Sequence, residues 1–513
     1  MTALLLAGRT TLQSLIVDVS EEYCLLLMAA LFGSYSLIGG IGTTFYVSYF
    51  NMCMAFTVLT VFFTNILYDN TSFFPNLGDI SKIYSIVSRV EGSNGNNLMS
   101  FRSESGLVFG IVGFFLASSM VYCNQASWQN RIAAKPMEGV LGFILAGFMW
   151  LSIPSTLGNT TGMAYLTLSA ENGTHLLTTD QINQGLVTPL IAEKVLGRAG
   201  GIMVLCMISM ALMSTGSGEV MAVSSIIVYD IYQIYIRPLR MYQDYLIDFK
   251  NWCIIWVAIA MIPFGLIIFS SGIDLNWTFF VGAIAIIPAF PAVALAVMWV
   301  KLTSEGIIAG GITGLLAGIA VTLTAASRYE GGLSNFTINT SQDFSILAGC
   351  CFSFGISLAV CVVVSALTHK IKAKADADAE WQKIYGIDNP LNPWEQNYRE
   401  ELKGQQYDKK PSFDQMAAAF RREKKIAYIS GGSITVLFTF IIPAIMLSFP
   451  VIDETQFKTW IMLTQAWTVF MGIIAIVAPP VEEYLKIRKQ RRKNKTYVVD
   501  TTVAGNSKVI AIM

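Results

Sequence analysis

SMALMSTGSGEVMAVSS, residues Ser209–Ser225, sits inside an apolar run covering 199–229 and carries one acid, Glu219. A bilayer's hydrocarbon core takes about 20 consecutive apolar residues in helical form, so the run is long enough to cross it. A carboxylate at the centre of such a span costs at least about 2.5–3.5 kcal/mol on insertion scales, and acids that persist there face a bundle interior or an ion path. The segment therefore predicts one helix of a polytopic membrane protein, with neighbouring helices that keep Glu219 away from lipid.

Ten other runs are as long and as apolar. Lettered A to K, the eleven are 21–41, 43–67, 105–127, 138–158, 199–229 (run E), 251–272, 277–300, 305–325, 344–368, 427–450 and 457–479. Glu219 is the one acidic or basic residue well inside any of them. None alternates in polarity as a barrel strand does, so the fold expected is an all-α membrane protein of about eleven transmembrane helices. Composition agrees: 54% of the 513 residues are hydrophobic and 13% charged, against about 25% charged in soluble domains.

The formal net charge is zero, which gives a nucleic-acid partner no basis. The eight cysteines fall in or beside the apolar runs without disulfide or CxxC spacing, and read as small buried hydrophobes. The opening MTALLLAGRTTLQSLIVDVS has no basic region ahead of its short apolar run, and Arg9 interrupts it. It makes a poor signal peptide; residues 1–20 read better as the remnant of a preceding helix or an extracellular segment.

Positive charge orients the spans. Arg131 and Lys135 follow C, Arg237, Arg240 and Lys250 follow E, Lys301 follows G, and the KIRKQRRKNK run starting at Lys486 follows K. Strict alternation puts all of them on the cytoplasmic face. It also places the N-x-S/T acceptors Asn70, Asn159, Asn172, Asn335 and Asn339 in outer loops, with Asn276 too near G for modification. The expected segments are a core over 21–369, a cytoplasmic linker at 370–426, two C-terminal helices at 427–480 and a basic tail at 481–513.

No nucleotide-phosphate motif and no nucleophile–base pair is evident, so an ATP-driven pump or an enzyme has little support and no cofactor is expected. Chemistry concentrates in run E. Withdrawal from water favours a carboxyl group's neutral form, which makes Glu219 a candidate proton carrier. Ser214 and Thr215 supply adjacent hydroxyls suited to a small hard cation, and Thr215 shares a helical face with Glu219. Gly216 and Gly218 allow close approach or local unwinding, although the same small residues also suit a helix-packing seam. After C, the cluster Tyr122, Asn124, Gln125, Trp128 and Gln129 reads either as a polar solute path or as an interfacial belt. Gly39-Gly40 and the prolines Pro288 and Pro291 mark expected breaks, which transporters use to line cavities.

Three segments resemble the sodium:solute symporter family: YSLIGGIGTTFYVSYFN (Tyr35–Asn51), AVMWVKLTSEGIIAGGITG (Ala296–Gly314) and SSIIVYDIY (Ser224–Tyr232). Within it, TALLLAGRTTLQSLIVDVS, WQNRIAAKP (Trp128–Pro136) and GEVMAVSSIIVYDIY look most like the urea active transporters, which couple urea uptake to protons. Two positions depart from that pattern: Asn124 stands where an aspartate is usual, and Asn130 where an arginine is. The resemblance implies a LeuT-type bundle of inverted repeats, a cation site at Ser214, Thr215 and the carbonyl near Ala211, and an acidic coupling residue at Glu219. It also implies that the first core helices are missing, as in a truncated isoform or a fragment. The expected activity is proton-coupled import of urea or a similar small polar solute by a multi-pass plasma-membrane protein embedded in lipid. The alternatives are sodium coupling with another solute, or a truncated regulatory form that does not transport.

Overall fold

The computed structural model describes residues 2–16, 18–69, 74–92, 97–134, 136–236, 243–383 and 413–503. All named elements among them are helices. Nine are long and apolar enough to cross a membrane, and a bent pair makes a tenth span. The protein is an integral, multi-pass helical membrane protein. Runs B to F and H to K each fall in one of the nine. G is the pair Leu275–Ala285 and Ala289–Met298, bent by 53°. The eleventh run, A, shares the helical stretch α2 (Glu21–Leu67) with B.

Contacts along α2 reverse direction. Following α1 (Thr2–Leu15), the first arm of α2 brings Met28 and then Phe32 against the groups around Leu212 and Gly216 of the long helix Val187–Ser225. The second arm runs the other way: Ser48 meets Ser214, and Asn51 meets the carbonyl of Met210. A single straight rod cannot climb and then descend the same neighbour. The chain therefore doubles back between Phe32 and Ser48, as two antiparallel spans.

Other pairs give matching directions. Run C, helix α3 (Glu104–Cys123), is followed by the short α4 (Gln125–Ala133). Phe109 meets Phe280 edge to face and Tyr122 packs at a tilt against Phe290, with ring centres 5.4 and 5.0 Å apart, so C and G run together. Lys486 Nζ lies 3.3 Å from Glu138 at one face, and Arg102 Nε donates to the Leu447 carbonyl at 2.9 Å at the other. These directions are those required by the alternation of the spans.

The first residues do not form a loose outer tail. Helix α1 runs against α5 (Val187–Ser225), with Gly8 beside Leu212 and Leu15 beside Gly201. Leu5 and Leu6 are 0% and 3% exposed. After α5 come α6 (Gln243–Ser270), the G pair α7 (Leu275–Phe280) and α8 (Ala289–Met298), then α9 (Ser304–Ala326) and α10 (Asp343–Thr368). Run K lies in α11 (Glu454–Val503), which continues through the basic stretch. Residues 384–412 of the linker and 504–513 of the tail lie outside the described residues.

Lipid tails are as apolar as leucine, so helices in a membrane adhere by close packing rather than by hiding from water. Helices α9 and α10 do this through small residues every fourth position. Gly306 abuts Ser365, Gly310 abuts Cys361, Gly314 faces Ser357, Gly318 faces Ser353, and Thr322 abuts Gly349. The same serines repair run G. Pro288 has no N–H for the carbonyl of Ile284, and Ser353 Oγ donates to that carbonyl at 3.3 Å. Ser357 Oγ donates to the carbonyl of Pro288 at 2.6 Å.

Two outer-loop acceptors are displaced from where the sequence reading puts them. Asn339 is 4% exposed, and its amide donates to the carbonyls of Glu330 and Gly332 at 3.0 and 2.7 Å, so an oligosaccharide has no room there. Asn159 lies within the helical span Met137–Asn172, its amide bonded to the Ser155 carbonyl. Asn172 and Asn335 are exposed, Asn276 is half-buried at the start of G, and Asn70 lies outside the described residues.

Candidate functional site

Helix α5 is built in two parts. Gly197 adopts φ +60° and ψ −148°, a conformation open in practice to glycine alone, and so bends the approach Val187–Leu196 away from the span that follows. Beyond that bend α5 is regular to Ser225, and the chain continues as a π-helix over Ile226–Ile236. No unwinding occurs at Gly216 or Gly218. The two glycines do different things. A Cβ at Gly216 would lie 2.5 Å from the Phe32 ring, so this face of α5 is a packing seam. Gly218 belongs to the other face, which opens on a cavity of about 250 Å³ together with Ser214, Thr215 and Glu219.

The opposing walls come from the second arm of α2, with Thr44 and Ser48, and from the C–D turn, with Asn124, Ser127, Gln129 and Asn130. Asn124 is the N-cap of α4: its Oδ1 accepts from the Ser127 N–H at 3.1 Å. That commitment turns the NH₂ end toward α5, where Nδ2 donates to Glu219 Oε1 at 2.7 Å. Ser48 and Ser214 hydroxyl oxygens lie 2.7 Å apart. One turn beyond Ser48, Asn51 donates to the Met210 carbonyl at 2.8 Å, and its Oδ1 is buried without a hydrogen-bond partner among the described residues.

Among the described residues Glu219 is the single ionisable one lining this cavity, and its hydrogen-bond partner is a neutral amide. Asn124 can donate to Oε1 in either state, because a protonated carboxyl keeps one carbonyl-type oxygen. The amide therefore holds one oxygen of the group in place. Ser48, Ser214 and Thr215 line the cavity with this carboxylate, and these are the residues that could offer oxygen ligands to a hard cation.

The expected residues divide. Ser214, Thr215, Glu219, Asn124 and Gln129 meet at the cavity. Ala211 does not: it lies one turn earlier, exposed, within regular helix, where its carbonyl belongs to the backbone ladder. Tyr122, Gln125 and Trp128 do not line it either. Trp128 Nε1 donates to the Tyr122 carbonyl at 2.8 Å, and Arg131 sits 5.1 Å from the Trp128 ring and 4.7 Å from that of Phe143. Thr44 and Ser48 were missed, although with Asn51 they recur at the four- and three-residue steps that mark one helical face.

The family profile of the sodium:solute symporters matches residues 1–314. Among curated proteins, a urea–proton symporter of Oryza sativa subsp. japonica is 28% identical over 391 residues, covering 72% of this chain and 52% of its own length. Probable urea active transporter 1 of Schizosaccharomyces pombe is 27% identical over 361 residues, 68% of this chain and 53% of its own. The urea active transporter of Saccharomyces cerevisiae is 27% identical over 365 residues, 69% of this chain and 48% of its own. The chain thus spans about half the length of the curated relatives it matches. With the profile covering more than half of its residues, the chain belongs to the sodium:solute symporter family.

Proposed function

We propose that this protein takes part in secondary transport of a small polar solute, urea being the solute its relatives' names favour, with a proton exchanged at Glu219. The observation that carries the reading is the placement of that carboxylate on the wall of a cavity, held by Asn124 and with no cation among the described residues that line it. The cavity lies beside the C–D turn, at the face the positive charges assign to the cytoplasm, so a proton bound on the outer side in one state of the bundle is released inward in the other. The exposed Asn172 and Asn335 suit a protein of the plasma membrane.

Sodium coupling is the second reading. The close Ser48–Ser214 oxygens, Thr215 and the unpartnered Oδ1 of Asn51 favour it. Radiolabelled urea uptake into vesicles carrying the chain separates the two. Accumulation is expected to follow an inward proton gradient when all sodium is replaced by choline. Uptake that needs sodium and ignores pH transfers the coupling to the hydroxyl cluster. Absence of uptake under both gradients removes transport by this chain alone.

A further inference from the structure

A second polar cavity, of about 320 Å³, opens at the opposite face. Arg9, Gln13 and Ser14 of α1 line it with Gln184, from the turn before α5, and Asp274, from the turn after α6. Arg9 is fixed in place: it ion-pairs with Glu21, its Nε donates to Gln13 Oε1 at 3.2 Å, and its guanidinium lies 4.5 Å from the Phe269 ring centre. Asp274 is fixed by capping α7, its Oδ1 accepting from the Trp277 N–H at 2.6 Å. A positioned cation and a positioned carboxylate thus share one small chamber, each anchored to a group other than its counterpart.

Among the described residues, packed side chains lie between this chamber and the Glu219 cavity. Met28 presses on Gly8, and a Cβ there would also lie 3.2 Å from Leu212; Phe32 covers Gly216. The void left in this layer measures about 10 Å³, which at roughly one probe sphere holds a single water at most.

We propose that the outer chamber is a binding site for a small, neutral, planar diamide of the urea type, with its carbonyl toward Arg9 and its N–H groups toward Asp274. The solute class rests on the transport reading above; the site itself rests on the chamber. A guanidinium donates to a carbonyl oxygen and a carboxylate accepts from amide N–H, while Gln184 can do either. Opposite charges on the two walls disfavour a simple anion or cation and favour a ligand that donates and accepts at once.

The test uses the chain in sealed vesicles, its reactive native cysteines replaced and Ser14→Cys introduced as a reporter at the chamber. Labelling by an impermeant maleimide from outside is expected to slow several-fold with saturating urea. Arg9→Gln and Asp274→Asn should each remove that protection, judged against each variant's own labelling rate without solute, with thermal unfolding in detergent reporting that the variant is folded. Urea that leaves the labelling rate unchanged, or protection that survives both substitutions, overturns the site. Glucose protecting better than urea overturns the diamide class. Protection here together with proton-independent uptake leaves the outer site standing and removes the proton reading instead.

Discussion

Glu219→Gln is expected to leave the protein folded and to abolish the proton dependence of solute uptake. Glutamine keeps the shape, and its carbonyl oxygen can still accept from Asn124 Nδ2, now 2.7 Å from Glu219 Oε1. It cannot exchange a proton. One coupled proton supports about tenfold solute accumulation per unit of pH gradient, since each unit is worth about 1.4 kcal/mol. The variant should lose that accumulation and approach equilibration across the membrane. Uptake at several imposed pH gradients checks this, and a slope equal to the parent's would remove Glu219 from the coupling step.

Gly314→Leu is expected to be the most damaging single change to the fold. A Cβ at Gly314 already lies 2.6 Å from the Ser357 Cβ, 2.7 Å from the Ser353 carbonyl oxygen and 2.9 Å from the Pro288 Cβ. None of these can rotate away, so α9 and α10 must separate. Overpacking a tight site costs about 1–3 kcal/mol. Separation also releases the serine hydroxyls that satisfy the Ile284 and Pro288 carbonyls, at about 1–3 kcal/mol for each buried group left unpaired. Gly311→Leu is the control, because nothing lies within 4 Å of a Cβ at Gly311. Thermal unfolding in detergent should show a large drop for Gly314→Leu and little change for Gly311→Leu. Equal midpoints would mean the small-residue stripe does not hold these helices together.

Much of the fold was legible because hydropathy runs and charge asymmetry are local signals, each readable from a score of neighbouring residues. Runs A and B illustrate the limit. The Gly39-Gly40 pair predicted a break, but the reversal between Phe32 and Ser48 shows only in the contacts each arm makes with α5. Gly306, Gly310 and Gly314 of the stripe stood inside a quoted family segment, but their meaning depends on the small residues Ser365, Cys361 and Ser357 of α10, far along the chain. Nothing in the glycines alone names that partner.

The site was half legible for a related reason. A buried acid in an apolar run is a strong signal wherever its partners are, so Glu219 could be found without them. The Tyr122–Gln129 cluster looked like one patch because its members are adjacent in sequence. Folded as the turn into α4, it puts Asn124, Ser127, Gln129 and Asn130 at the cavity, while Tyr122 packs on Phe290 and Trp128 bonds the Tyr122 carbonyl and carries Arg131 on its ring. Ala211 came from resemblance, and regular helix around it leaves its carbonyl in the backbone ladder.

Infrared difference spectra of the reconstituted chain between alkaline and acidic buffer address the Glu219 carboxyl without requiring transport. Acidification should raise a carboxyl C=O band that is absent from Glu219→Gln and displaced in Asn124→Ala, which removes the amide donor. A spectrum unchanged by Glu219→Gln would mean that no proton reaches this group, and the coupling role assigned to the cavity would fall with it.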